Sequence, residues 1–196
     1  SLVEAEISER VKHYERAATA LLEDLPSMEM VAVYDGLITE STCDGEDVGH
    51  RLIDLLIDSY ELKASAFLSK EAERISDLIV TVQEGADRHA SVKQVRAGIN
   101  EIISALRVWD RVAQPIQIAS KSRGVDHEGS KQLASEVLGL AIHLNNEHDY
   151  YEEAKLLGEA LQELFSEVVA LNEKVVENVE TFSGNASFKA EKQRRD

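Results

Sequence analysis

The chain has 196 residues and a formal net charge of −16. So acidic a balance excludes nucleic acid as the main partner and adhesion to anionic membranes, because both need a basic surface. It leaves solubility and steering toward basic partners as its positive consequences. Apolar residues make up 43% and aromatics 5%, with two prolines, Pro26 and Pro115, a composition that suits helices packed on helices. Cys43 is the only cysteine, so no intramolecular disulfide can form. No apolar run approaches the ~20 residues of a membrane span, and there is no signal peptide, so no membrane contact and a cytoplasmic location are expected. Because the chain begins at Ser1 rather than Met, it is expected to be a fragment of a larger bacterial protein.

A first helix is expected from about Leu2 to Glu23, where Val3, Ile7, Val11, Tyr14, Ala18, Leu21 and Leu22 form one stripe. Leu25-Pro26-Ser27 breaks it, and Ser27 is placed to cap a short second helix. That helix carries Met30, Val31, Val33, Tyr34, Leu37 and Ile38, weakened by Gly36 and by its β-branched content. Residues 39–47 read as a polar loop. Val48, Leu52, Leu55, Leu56, Tyr60 and Leu62 then open a strong stripe. It either continues to Val82 through Ile75, Leu78 and Ile79 or restarts at a Ser69 cap, and Gly85 supplies the stop.

Ser91 and Gln94 make a capping box in front of the clearest pattern in the chain. Val92, Val95, Ile99, Ile102, Leu106 and Trp109 alternate steps of three and four, which keeps them on one helix face. That helix is expected to end near Trp109. Asp110 then caps a helix carrying Val112, Ile116 and Ile118, with Pro115 in its first turn or as a kink, and Gly124 ends it. Ser130 opens a helix with Leu133, Val137, Leu138, Leu140, Ala141 and Leu144 that stops at Asn145-Asn146. Asp149 and Glu152 form an acidic capping box for a helix starting at Tyr150 and lined by Ala154, Leu157, Ala160, Leu161 and Leu164. Val168, Leu171, Val175, Val179 and Phe182 extend that helix or form a third. Residues 184–196 lose periodicity and read as a disordered tail or linker stub.

The stretch Leu138-Gly139-Leu140-Ala141, then Asp149-Tyr150-Tyr151-Glu152-Glu153-Ala154, then Ala160-Leu161 resembles a tetratricopeptide repeat over about residues 130–165. The resemblance implies two antiparallel helices, with the small Ala154 allowing close approach. It departs from the family in three ways. Leu138-Gly139 lies about one turn too far upstream, Ala154 and Ala160 are six rather than seven apart, and no proline follows Phe165. There is a single copy, so preceding helices must cover its open face. The stretch Trp109–His148 also resembles helical regions of multidomain bacterial proteins. The fold expected is all-α: an antiparallel bundle or array of seven to nine helices with a repeat-like hairpin near the C-terminus. It forms one domain over 1–183, with a subdivision near 84–90 into an N-terminal bundle and a C-terminal repeat-like part as the alternative.

Polar residues concentrate between Trp109 and Asp149. If segment 114–123 approaches the 145–149 turn, the Asn, His, Asp and Arg side chains there form either a network that fixes packing register or a groove for an extended peptide. The groove reading names Arg111, Gln114, Lys121, Arg123, Asn145, Asn146 and His148 as partner-binding residues. Lys121 and Arg123, with Lys131, also suit a solvated helix end. Trp109 is a binding hot spot if exposed and a core residue if it is the last rung of its ladder.

His143 and Glu147 are four apart, so a metal reading places both on one helix face, with His127, Glu128, His148 and Asp149 as further donors. The paired Glu-x-x-His motifs of di-iron bundles and the zincin His-Glu-x-x-His are missing, so no metal and no cofactor are expected. There is no glycine-rich phosphate loop and no nucleophile elbow. The acidic neighbours of Cys43 disfavour its thiolate, and Glu152-Glu153 reads as a solvated helix face. The expected function is therefore a non-catalytic protein–protein interaction or assembly module with a protein or peptide partner. Homodimerisation through an exposed stripe is a further option. The rival is a metal- or small-ligand-binding helical bundle acting as sensor or enzyme.

Overall fold

The protein is seen in a computed structural model that describes residues 9–10, 12–14, 16–17, 20 and 27–195. The expected first-helix stripe at Val3, Ile7, Val11, Ala18, Leu21 and Leu22 lies outside the described residues. Among those described there is no strand. Helical residues 9–10, 12–14, 16–17 and 20 precede α1 (Ser27–Thr42), α2 (Arg51–Asp87), α3 (Val92–Ser122), α4 (Glu128–His148), α5 (Tyr151–Leu164) and α6 (Val169–Arg195). The fold class is all-α, as the periodicity demanded.

Where the sequence left open one helix or two, α2 is a single helix, and the break expected near Trp109 does not occur, which keeps the number of helices at the low end. Residues 51–84 contain neither glycine nor proline, so nothing local stops α2, and Ser69 is an ordinary exposed helical residue. α3 runs past Trp109 and takes Pro115 into its interior. Pro115 has no N–H for the carbonyl of Arg111, a loss that costs about 3 kcal/mol in a free helix. Tertiary structure offsets it here. Pro115 and the following Ile116, Gln117, Ile118 and Ala119 are all buried, and the Tyr60 hydroxyl donates to the Val112 carbonyl at 2.7 Å.

The chain divides into two compact units, and each takes one part of α2 and one part of α3. The first comprises the chain up to Phe67 together with Arg111–Val125; the second comprises Leu68–Asp110 and Asp126–Asp196. The expected subdivision at 84–90 is not where the units part, because that turn folds entirely inside the second unit.

In the first unit Val31, Tyr34 and Ile38 of α1, Ile53, Leu56, Ile57 and Tyr60 of α2, and Ala113, Ile116 and Ala119 of α3 are buried. The rings of Tyr34 and Tyr60 lie 4.7 Å apart. α1 runs four residues into the expected 39–47 loop and ends on buried Thr42, whose hydroxyl donates to the Ile38 carbonyl and accepts from the Gly45 N–H. Gly45 has φ +80°, and a Cβ there would meet Lys121 Cδ at 3.0 Å and the Ile118 carbonyl oxygen at 3.1 Å, so glycine is required.

In the second unit five of the six rungs of the α3 ladder are buried, and Val92 alone is exposed. Trp109 is core: its indole N–H donates to the Leu68 carbonyl at 3.0 Å and its ring stacks on Phe165 and His127. α4 packs on α5, α5 on α6, and α4 also reaches α6. A Cβ on Gly158 of α5 would stand 2.5 Å from Val179 Cγ2, so this glycine sets the α5–α6 approach. Residues 184–195, expected as a disordered tail, are the last turns of α6. Buried Ala186 and two polar ties, Asn185 to Asn145 and Lys189 Nζ to the Asp149 carbonyl, hold them. Polar anchors of this kind leave no trace in an apolar periodicity.

Candidate functional site: a histidine–aspartate corner in the second unit

α2 and α4 both end on a non-glycine residue in the left-handed conformation, His89 (φ +57°) and Asp149 (φ +56°). At the end of α2 the Ala90 N–H donates to the Gly85 carbonyl and the His89 N–H to the Ala86 carbonyl, the paired bonds of a Schellman turn. Gly85 therefore stands inside the last turn rather than just past the end.

The end of α4 is wider. The Leu144 carbonyl accepts from the N–H of Asp149, five residues on, and of Tyr150, six residues on. A regular α-helix turns 100° per residue, so residues five apart point well away from each other. An i→i+5 closure is the looser π-type turn, and it swings His148 back over His143.

The consequence is a convergence of three side chains. His148 Nε2 lies 2.8 Å and His143 Nε2 2.9 Å from Asp87 Oδ1, and the two Nε2 atoms are 3.2 Å apart. These are three metal-ligating atoms within one small volume. The hydrogen bonds from His143 and then His148, with their charge, hold the Asp87 carboxyl below the usual carboxylate range. His148 is 11% exposed and Asp87 50% exposed, so the corner has a buried floor and an open mouth. The His148 ring is edge-on to His89 and tilted against Tyr150. The Tyr150 hydroxyl donates to the Ala90 carbonyl at 2.6 Å, tying the turn after α2 to the turn after α4.

The donor set that the rival metal reading named is not the one the geometry brings together. Glu147 is exposed and outside the convergence, because the widened turn brings round His148 rather than the i+4 residue. His127 instead holds the N-cap position of α4 without a side-chain bond to the helix backbone, and its Nδ1 lies 2.7 Å from the buried Ser130 hydroxyl. Asp149 does not cap α5. Its left-handed backbone terminates α4, its carboxylate accepts from the Tyr151 hydroxyl, and α5 starts one residue later than expected, with no side-chain cap.

The seven expected partner-binding residues divide between the units. Arg111, Gln114, Lys121 and Arg123 belong to the first, and Asn145, Asn146 and His148 to the second. Lys121 pairs with Glu46 at 2.7 Å, and Arg123 with Asp54 at 2.9 Å and Asp58 at 3.5 Å. Arg111 is exposed. The Asn145 amide donates to Asn146 and accepts from Asn185. Asn145 is thus committed to packing α4 on α6 rather than presented to a peptide.

Two functional groups escaped sequence reasoning. Asp87 lies 56 residues before His143, and no local spacing joins them. Glu153, read as a solvated face, is buried and accepts from Arg96 Nε and Nη2 at 3.0 and 2.8 Å. The Cys43 thiol agrees with its acidic setting: a hydrogen bond with Asp47 and that carboxylate's charge push its pKa up.

The fold and site define an all-α protein with a polar corner at two helix ends. Comparison with protein-family models, with curated proteins and with solved structures gave no match.

Proposed function

We propose that the chain is a non-catalytic helical module that assembles with another polypeptide through the exposed face of the first half of α2. The observation that carries this reading is the seam of Leu55, Ser59, Leu62 and Ala66. They stand at steps of four, three and four, which places them on one helix face. Leu55 is 39% and Leu62 78% exposed, while Ile53, Leu56, Ile57 and Tyr60 of the same stretch are buried. Large and small residues alternate along the seam, a pattern that accepts the ridge of an apposed helix. The net charge of −16 favours a partner with a basic rim around its apolar stripe. A second copy of the chain is one such occupant by its stripe but not by its charge. The cytoplasm suits a chain whose single cysteine is an exposed free thiol. Among the described residues no helix is long and apolar enough to cross a membrane. The same reading keeps α4 and α5 as a repeat-like hairpin, supported by their two-residue connection and by buried Ala154.

A photo-crosslinking residue placed at Leu62, with Glu101 of α3 as the exposed control position, tests the proposal in cells that make the protein. Discrete adducts are expected from position 62 and not from 101. Sedimentation of the purified chain separates self-association from a foreign partner. Absence of adducts at 62, together with a monomer at high concentration, refutes the reading.

A further inference from the structure

We propose that Asp87 Oδ1, His143 Nε2 and His148 Nε2 are the three protein ligands of a zinc site whose fourth position opens to solvent. The site goes beyond the assembly reading and stands independently of it, because all three ligands lie in the second unit and the α2 seam lies in the first.

The geometry carries the inference. Zinc bonds of about 2.0–2.1 Å set tetrahedral ligand atoms about 3.3 Å apart. The present triangle has edges of 2.8, 2.9 and 3.2 Å, so it admits the ion by opening a few tenths of an ångström. Rotation of Asp87, which is half in water, supplies that movement. Two imidazoles and one carboxylate with a water in the open position are a zinc donor set. Hydrogen bonding alone accounts for each imidazole meeting Asp87, but it gives the two Nε2 atoms no reason to face one another at 3.2 Å over a single carboxylate oxygen, an arrangement that a shared cation satisfies.

A second observation is the local field. Asp87 is the last residue of α2 and His148 the last of α4. Each helix presents the negative end of its dipole there, a place where a cation is favoured. α2 has no basic residue in its last turn to fill that role. Each histidine binds the ion as a neutral imidazole through the Nε2 lone pair, with its one ring proton on Nδ1, and the Asp87 carboxylate exchanges its hydrogen bonds to the rings for the metal. The bound ion fastens the turn after α2 to the turn after α4, in parallel with the Tyr150–Ala90 hydrogen bond.

The test uses the purified chain, stripped with a chelator and titrated with Zn²⁺ against a chromophoric competitor. One zinc per chain is expected, with a rise in melting temperature. His143→Ala, His148→Ala and Asp87→Ala should each weaken binding at least about tenfold, and His50→Ala and His127→Ala should leave it unchanged. Helicity by circular dichroism confirms that each variant folds. A gain-of-signal arm does not depend on any loss: Asp87→Cys keeps a ligand of nearly the same reach, retains zinc and, loaded with Co²⁺, shows a thiolate charge-transfer band that the unsubstituted Co²⁺ form lacks. No stoichiometric zinc, undiminished affinity in the three alanine variants, or no thiolate band in Co²⁺-loaded Asp87→Cys overturns the proposal.

Discussion

Replacing Arg96 by methionine tests the ion pair that joins α3 to the start of α5. Arg96 sends two N–H groups to one oxygen of Glu153, whose side chain is 4% exposed against 43% for Arg96. Removing one partner of a fully buried pair costs about 3–5 kcal/mol, most of it from stranding the other charge. Two features reduce that here. Arg96 is partly solvated already, so the pair has less to lose. Glu153 is the third residue of α5 after its N-cap Tyr150, and the helix dipole returns about 0.3–1 kcal/mol to a carboxylate there. The expected loss for Arg96→Met is about 2–3 kcal/mol. Glu153→Met strands an arginine that can swing into water, so about 1 kcal/mol is expected. The double variant Arg96→Met/Glu153→Met places two flexible apolar side chains against each other and should be more stable than Arg96→Met alone. Urea unfolding followed by the fluorescence of Trp109 reads the right unit, because Trp109 is buried in it. If Arg96→Met is no less stable than the double variant, the stranded-charge argument is wrong.

Gly158→Ala gains about 1 kcal/mol of helix propensity but drives a methyl group to 2.5 Å from Val179 Cγ2. Overpacking costs about 1–3 kcal/mol, so a net loss of about 1 kcal/mol is expected, read as a melting temperature lower by roughly 2–4 °C for a chain of this size. Adding Val179→Ala should recover the overpacking part, and a stabilised Gly158→Ala would show that α6 simply moves aside. Asp35 has a buried carboxylate oxygen with no hydrogen-bond partner, and burial first, then the charge of Asp44, raises its pKa. A carboxyl whose folded pKa is raised favours folding when protonated and penalises it when ionised. Asp35→Asn should therefore stabilise the chain at pH 7. That gain should shrink as pH falls through the folded pKa of Asp35 and vanish below the ordinary carboxylate value of about 3.9; a gain that persists unchanged at pH 3 refutes the assignment. Tyr60→Phe removes the hydrogen bond to the Val112 carbonyl beside Pro115 and should cost about 1 kcal/mol, measured by thermal unfolding.

The α3 ladder was legible because burial repeats with the helical period: Val95, Ile99, Ile102, Leu106 and Trp109 are all in the core. Some ends were legible where a residue type has a backbone reason. The Ser91–Gln94 box forms reciprocally, with the Ser91 N–H donating to Gln94 Oε1 and the Gln94 N–H to Ser91 Oγ. Gly124 ends α3 with φ +72°. Pro115 misled, because a proline break is a local cost that the burial of its neighbours and the Tyr60 hydrogen bond outweigh. Glu153 misled in the opposite sense: its local context is a charged helix start, and the arginine that makes its burial tolerable is 57 residues away.

The histidine–aspartate corner shows why a site can be present in a sequence and still be misread in it. His143 and His148 both drew attention, but a helix of regular pitch pairs His143 with Glu147 and sends His148 elsewhere. The alignment depends on one carbonyl, Leu144, accepting from residues five and six ahead, and on a left-handed Asp149 that lets the chain turn there. Asp149 is one of the few L-residues that accept that conformation with modest strain. The residue thus contributes through its backbone, while its carboxylate, the feature that made it a candidate ligand, is turned to the Tyr151 hydroxyl. Asp149→Gly separates the two roles. It keeps the left-handed turn and removes the carboxylate, so zinc affinity should hold within about twofold, since glycine is the favoured residue at this position. Asp149→Val forbids the turn, and it should cost zinc affinity even though no ligand is touched. Equal affinity in the two variants, measured by the same chelator competition, would show that the widened helix end is not what brings His143 and His148 together.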